Sequence, residues 1–111
     1  MSKNNKENRT EKRVLVNREY KFEFIINSTK YNHRCILWNI AGKGFGVLVN
    51  KKSSVFKQFK IGRLMKMRYF EAATGKPSPL FNVEIRHISQ NKNEKYKDYY
   101  QVGVQILQTK N

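Results

Sequence analysis

The sequence predicts an all-β protein: a small six-stranded antiparallel β-barrel with little helix. Three observations carry this. Apolar side chains recur at every second position in several short runs, the period of a half-buried strand. Polar or Gly- and Pro-containing segments separate the runs, as turns do. No stretch shows the sustained 3.6-residue periodicity of a long helix, so short strands must close on one another to bury their apolar faces.

The alternation starts at Tyr20, with Tyr20, Phe22, Phe24 and Ile26 on one face and Lys21, Glu23 and Ile25 on the other. Asn27-Ser28-Thr29-Lys30 reads as a turn, and a second strand runs from about Tyr31 to Asn39. Asn39-Ile40-Ala41-Gly42-Lys43-Gly44-Phe45-Gly46 follows, then a third strand to about Asn50. Glycines at 42, 44 and 46 allow positive φ and a close approach of backbone to a ligand. Strand, tight turn, strand is the natural form. A phosphate-binding loop of the Gly-x-x-x-x-Gly-Lys-Ser/Thr type does not match, and β-branched residues rather than a helix come next.

Between Lys51 and Lys60, Ser53 or Ser54 is placed to cap a short helical turn through Val55, Phe56 and Phe59. Arg63 to Glu71 is the fourth strand, and Ala72 to Pro79 is a loop. The fifth strand covers Leu80 to Ser89, with Phe81, Val83, Ile85 and His87 expected on one face. The sixth spans Tyr99 to Gln108 and presents Tyr100, Val102, Val104 and Ile106 to one side.

The 111 residues make one domain with a tail. Residues 1–12 hold no large apolar side chain after Met1 and are expected to be a flexible basic tail. The barrel domain is expected over residues 13–108. A formal net charge of +15 fits either a polyanionic partner such as nucleic acid, acidic lipid or a phosphate-rich ligand, or a Lys- and Asn-rich composition bias with solvated lysines. The single cysteine, Cys35, lies in an apolar run. It excludes an intramolecular disulfide and a Cys-based zinc cluster, and it reads as a small buried hydrophobe. No apolar run reaches the roughly 20 residues of a membrane-spanning helix, and the polar start has no signal-peptide core. A cytoplasmic location is the expectation.

An enzyme is not expected. The eight acidic residues lie in the tail, on strand faces or in loops beside lysines, and no pair is set for acid–base work. His33 and His87, the two histidines, have no cysteine cluster beside them for a metal site; packing and hydrogen bonding suffice for them. No cofactor is implied.

The informative constellation is Arg9-x-x-x-Arg13 with the Asn39-to-Gly46 loop. Arginine offers a planar fork of donors that suits phosphate, or the O6 and N7 of guanine. Asn39 carries both a donor and an acceptor for a base edge, and a glycine turn admits a flat ligand. These are parts of a guanine-nucleotide site.

In order and spacing these parts resemble the PilZ domain family, whose signature is Arg-x-x-x-Arg followed by Asp/Asn-x-Ser-x-x-Gly at the end of a later strand. Here the two read Arg9-Thr10-Glu11-Lys12-Arg13 and Asn39-Ile40-Ala41-Gly42-Lys43-Gly44. The ending, Tyr100-Gln101-Val102-Gly103-Val104-Gln105-Ile106, is similar to the family's closing strand. The likeness runs from about Arg9 to Leu107. It implies a six-stranded barrel that binds the bacterial second messenger cyclic di-GMP. Arg9 and Arg13 would clamp phosphates and guanine faces from a segment that wraps the ligand. Asn39 would meet a guanine edge, and Gly44 would let the turn approach. A single-domain receptor of this kind implies a downstream protein partner.

The chain departs from the pattern at Ala41, where the family has serine. The lost hydroxyl removes a hydrogen bond worth about 0.5–1.5 kcal/mol, or up to about 3 to a charged phosphate. Two alternatives therefore stand beside the receptor. One is a degenerate PilZ-like adaptor that binds a protein and no nucleotide, which an exposed apolar patch would favour. The other is a general nucleic-acid-binding barrel, with Tyr31, Trp38, Phe45 and Tyr69 as stacking platforms. Core packing is the more economical role for those four rings.

Overall fold

Each alternating run becomes a strand. The computed structural model describes residues 14–92 and 94–107, in which the order is β1 (Val14–Ile26), β2 (Thr29–Ala41), β3 (Gly44–Asn50), β4 (Leu64–Phe70), β5 (Phe81–Gln90) and β6 (Tyr99–Ile106). All neighbours pair antiparallel, and the sheet closes in the order β1-β2-β3-β6-β5-β4. The expected six-stranded barrel is the observed one. The segment expected as a tail, residues 1–12 with Arg9, lies outside the described residues, and so does Arg13.

Turn chemistry adjusts the strand limits. Asn27 and Ser28 take φ of 51° and 69°, and Ile26 pairs directly with Thr29. A two-residue turn with both central φ positive matches the right-handed twist of the flanking strands. β2 therefore begins two residues before the expected Tyr31. At its far end β2 runs on to Ala41, which pairs with Gly44 across a turn of only Gly42 and Lys43. The hairpin tip is tied down by β6, where the Ile106 amide donates to the Lys43 carbonyl at 2.7 Å.

The inward faces of all six strands supply the core. Phe22, Phe24, Leu37, Val47, Met67, Val83, Ile85 and Val102 are essentially solvent-free, each large side chain contributing about 1.5–3 kcal/mol by burial. The expected helical turn is a 3₁₀ turn, Ser54–Gln58, that drives Val55 and Phe59 into this core. Phe59 meets Phe24 edge-on, with ring centroids 5.4 Å apart. Ser53 stands at its N-cap but makes no side-chain cap bond; its hydroxyl donates to the Asn50 carbonyl instead, at 2.9 Å. Cys35 is buried as expected, at 1 % exposure. Burial, with the nearby Glu19 carboxylate as a lesser cause, pushes its thiol up to about 12.

One face assignment is corrected. His87 does not share the inward face of Val83 and Ile85. Ile85 pairs with Val104, but His87 pairs with Gly103, so β5 carries one extra residue at Arg86. This bulge turns His87 outward and exposed, and returns Ile88 to the core side.

Candidate functional site

A second bulge does for β2 what Arg86 does for β5. Leu37 pairs with Val47 and Asn39 with Gly46, leaving Trp38 as the extra residue. Strict alternation from Leu37 would send Asn39 into the core. The bulge sends it outward and lets Ile40 pack inward. A third irregularity interrupts the β1–β2 register between Leu15 and Arg18, where Asn17 takes φ of 52°. All three lie in the strands that flank the Gly42–Lys43 hairpin or face it across β6.

The two re-aimed side chains end in one row. Asn39 lies opposite Gly46, Gly46 opposite Gly103, and Gly103 opposite His87. On the outer face of β2-β3-β6-β5 this makes a floor of two glycines between an asparagine and a histidine. Neighbouring strands lie about 4.8 Å apart, so the walls are separated by three spacings, about 14 Å. The next outward row is Ala41, Gly44, Gln105 and Glu84. Glu84 apart, these rows line an open cavity of about 600 Å³, which Lys43 and Arg86 also line.

The glycines have different work. Neither Gly44 nor Gly46 takes the positive φ that the glycine-rich stretch suggested; both are there for space. A Cβ at Gly44 would lie 2.0 Å from the Val104 carbonyl oxygen. This glycine lets β3 pack against β6. A Cβ at Gly46 would lie 2.5 Å from Asn39 Oδ1. The Asn39 carboxamide thus lies across Gly46, on the floor of the groove. At Gly103 a Cβ would meet only His87 Cβ, at 3.4 Å.

The far wall is polar and ordered by its own contacts. Arg86 Nη1 donates to Gln105 Oε1 at 2.6 Å and lies 3.7 Å from Glu84 Oε1. His87 Nε2 and Ser89 Oγ are 3.0 Å apart. Of the residues expected at the site, Asn39, Ala41 and Gly44 all line this cavity. Arg9 and Arg13 lie outside the described residues, but Val14 pairs with Ile40 and Leu15 with Asn39. The chain therefore enters the barrel beside the Asn39–Ala41 strand end. Arg86, His87, Gly103 and Gln105 also line the cavity and were not expected as site residues. Their spacing becomes legible only once the bulges are known.

The aromatic residues considered for base stacking are largely spoken for. Phe45 is buried and lies edge-on to Phe81 at 5.1 Å. Tyr69 and Tyr31 pack on the core, and Trp38 lies edge-on to Tyr96 at 6.0 Å. Among the described residues no group of three or more His, Cys, Asp or Glu side chains is placed to hold a metal ion. Nor is any helix there long and apolar enough to cross a membrane.

No protein-family model matches the sequence, and comparison with curated proteins gives no match. Among solved structures, the fold is similar to the PlzA protein of Borreliella burgdorferi in complex with c-di-GMP. The TM-score is 0.61 at 13% sequence identity, over 90% of this chain and 45% of that one. The present chain thus spans under half the length of that protein. At this identity the likeness is one of fold alone.

Proposed function

We propose that this protein is a non-enzymatic cyclic di-GMP receptor, with the groove over Gly46 and Gly103 as its ligand site. The observation that carries the proposal is the convergence at one strand end. The Asn39-x-Ala41-x-x-Gly44 segment lines a 600 Å³ cavity, and the strand that follows Arg9 and Arg13 starts opposite Ile40. A fold shared with a protein solved in complex with c-di-GMP adds weight. In this reading Asn39 offers donor and acceptor to a guanine edge. The two arginines close over phosphates and bases from the preceding segment, which orders on the ligand. Ala41 supplies no hydroxyl, so it contributes shape alone. Output passes to a downstream protein in the cytoplasm.

Calorimetric titration tests this, with cyclic di-GMP as ligand, GTP and single-stranded RNA as controls, and two salt concentrations. Saturable binding of cyclic di-GMP alone is expected. Arg9→Ala and Arg13→Ala should each weaken it, and Ala41→Ser should tighten it by up to about tenfold. Heat from none of the ligands would overturn the receptor reading.

One observation favours the adaptor as second reading. Leu64 is 63% and Ile61 66% exposed, and Leu64 borders a cleft with Ile25 and Leu107. Exposed apolar side chains beside a cleft suit a protein partner. The same surface would serve a receptor that hands its signal on. The nucleic-acid barrel has only the net charge left in its favour.

A further inference from the structure

The proposed role of Asn39 leaves the opposite wall of the groove without one. That wall is about three strand spacings from the Asn39 backbone and about two from its carboxamide, which lies over Gly46. A ligand held only at Asn39 would leave Gly103 and the far side of the floor uncovered. The far wall also has the marks of a prepared contact. Arg86 is the extra residue of the β5 bulge, and bulges re-aim side chains. Arg86 lines the cavity, and its guanidinium donates to Gln105, another lining residue, at 2.6 Å.

Resting on the receptor reading, we propose that Arg86 is a further ligand-binding residue that recognises the O6/N7 edge of the second guanine and sets the preference for guanine over adenine. The chemistry separates guanine from phosphate as its target. Glu84 Oε1 lies 3.7 Å from Arg86 Nη1. A phosphate placed on this arginine would also face that carboxylate. A guanine edge presents two neutral acceptors, which the planar fork meets without adding negative charge. Adenine puts an amino donor where guanine has O6, and two donors then face each other. Gln105 is a positioning residue: it uses one arginine donor and fixes the plane of the rest.

The test is calorimetry of the wild type, Arg86→Ala, Arg86→Lys and Gln105→Ala with cyclic di-GMP and with cyclic di-AMP. Thermal unfolding of each variant controls for folding. Arg86→Ala should weaken cyclic di-GMP binding by about 5- to 150-fold, the range of one bidentate base contact. Cyclic di-AMP affinity should stay unchanged, so the ratio of the two collapses. Arg86→Lys keeps the charge but not the fork and should lose most of the discrimination; Gln105→Ala should lose part of it. An equal fall for both ligands would assign Arg86 to a phosphate and overturn the guanine assignment. Unchanged discrimination in all variants, with a wild type that binds, would overturn the inference while leaving the receptor intact. A wild type that binds neither ligand would overturn the receptor reading itself.

Discussion

The two sides of the barrel are built to different rules. Where β4 meets β1 and β5, the register runs without interruption, Lys21–Phe70 to Ile25–Lys66 and Leu64–Glu84 to Met67–Phe81. Its outer face carries a charge cluster around one buried carboxylate, Glu23 at 5 % exposure, with Arg68 at 3.3 Å and the exposed Lys30 at 3.9 Å. Across the barrel, the β1–β2, β2–β3 and β5–β6 ladders are each interrupted once. There the outer face has glycines where the other side has side chains. Regular pairing maximises ladder bonds and core contacts. Interrupted pairing gives up some of both to put chosen side chains on the outside. Sequence changes on the first side should therefore cost stability, and on the second, binding.

The largest effect belongs to the regular side. Phe24→Ala removes a ring that touches Phe22 and Phe59 and should cost about 3–5 kcal/mol in denaturant unfolding. Arg68→Leu comes next. Among the described residues it leaves buried Glu23 with Lys30 as its ion-pair partner, and it should cost about 1–3 kcal/mol, below the full buried-pair value because Arg68 is partly exposed. Gly44→Ala, beside the groove, is the exception that locates the boundary. Its new Cβ meets backbone at Val104, so about 1–3 kcal/mol of stability should be lost through strain. If Gly44→Ala cost nothing in stability, the close β3–β6 contact would be wrong.

Gly103→Ala should do the reverse. Its Cβ would meet only the His87 Cβ at 3.4 Å, so stability should change by less than about 0.5 kcal/mol. Cyclic di-GMP affinity should nonetheless fall about tenfold, because the floor is raised under the ligand. The effect at Cys35 is absent at neutral pH and appears only in alkali. Burial favours its neutral thiol in the folded state, at about 12 against an ordinary 9.0. The unfolded chain thus loses this proton first. The associated stability is complete below about pH 9 and declines as pH rises from there towards 12. Unfolding curves of wild type and Cys35→Ala should converge over that window. Alkylation of Cys35 should be slow until the barrel opens.

The regular side was readable from the sequence because alternation is enough to specify it. Tyr20 to Ile26 and Arg63 to Glu71 give their faces directly. The Asn39–Gly46 hairpin was readable too, because turn chemistry is local. The far wall was not. A bulge at Arg86 leaves no mark in the pattern Val83-Glu84-Ile85-Arg86-His87-Ile88, which reads as unbroken alternation. Only the opposite strand, with Val104 facing Ile85 and Gly103 facing His87, reveals the extra residue. The glycines were misjudged for a related reason. Conformational freedom is a property of one residue, whereas crowding by Val104 or Asn39 depends on partners that the fold supplies.

The floor residues have one more consequence. Gly46 and Gly103 are distant in sequence and adjacent only because β3 pairs with β6. That pairing spans the chain, unlike the local hairpins on either side of it. Such contacts form late in folding, once loop closure has been offset by other contacts. A partly folded chain with the β2–β3 hairpin alone would have Asn39 and no far wall. Whatever fills the groove therefore favours the closed barrel over every partly open form. The concentration of any such ligand would then set the chain's lifetime against proteolysis.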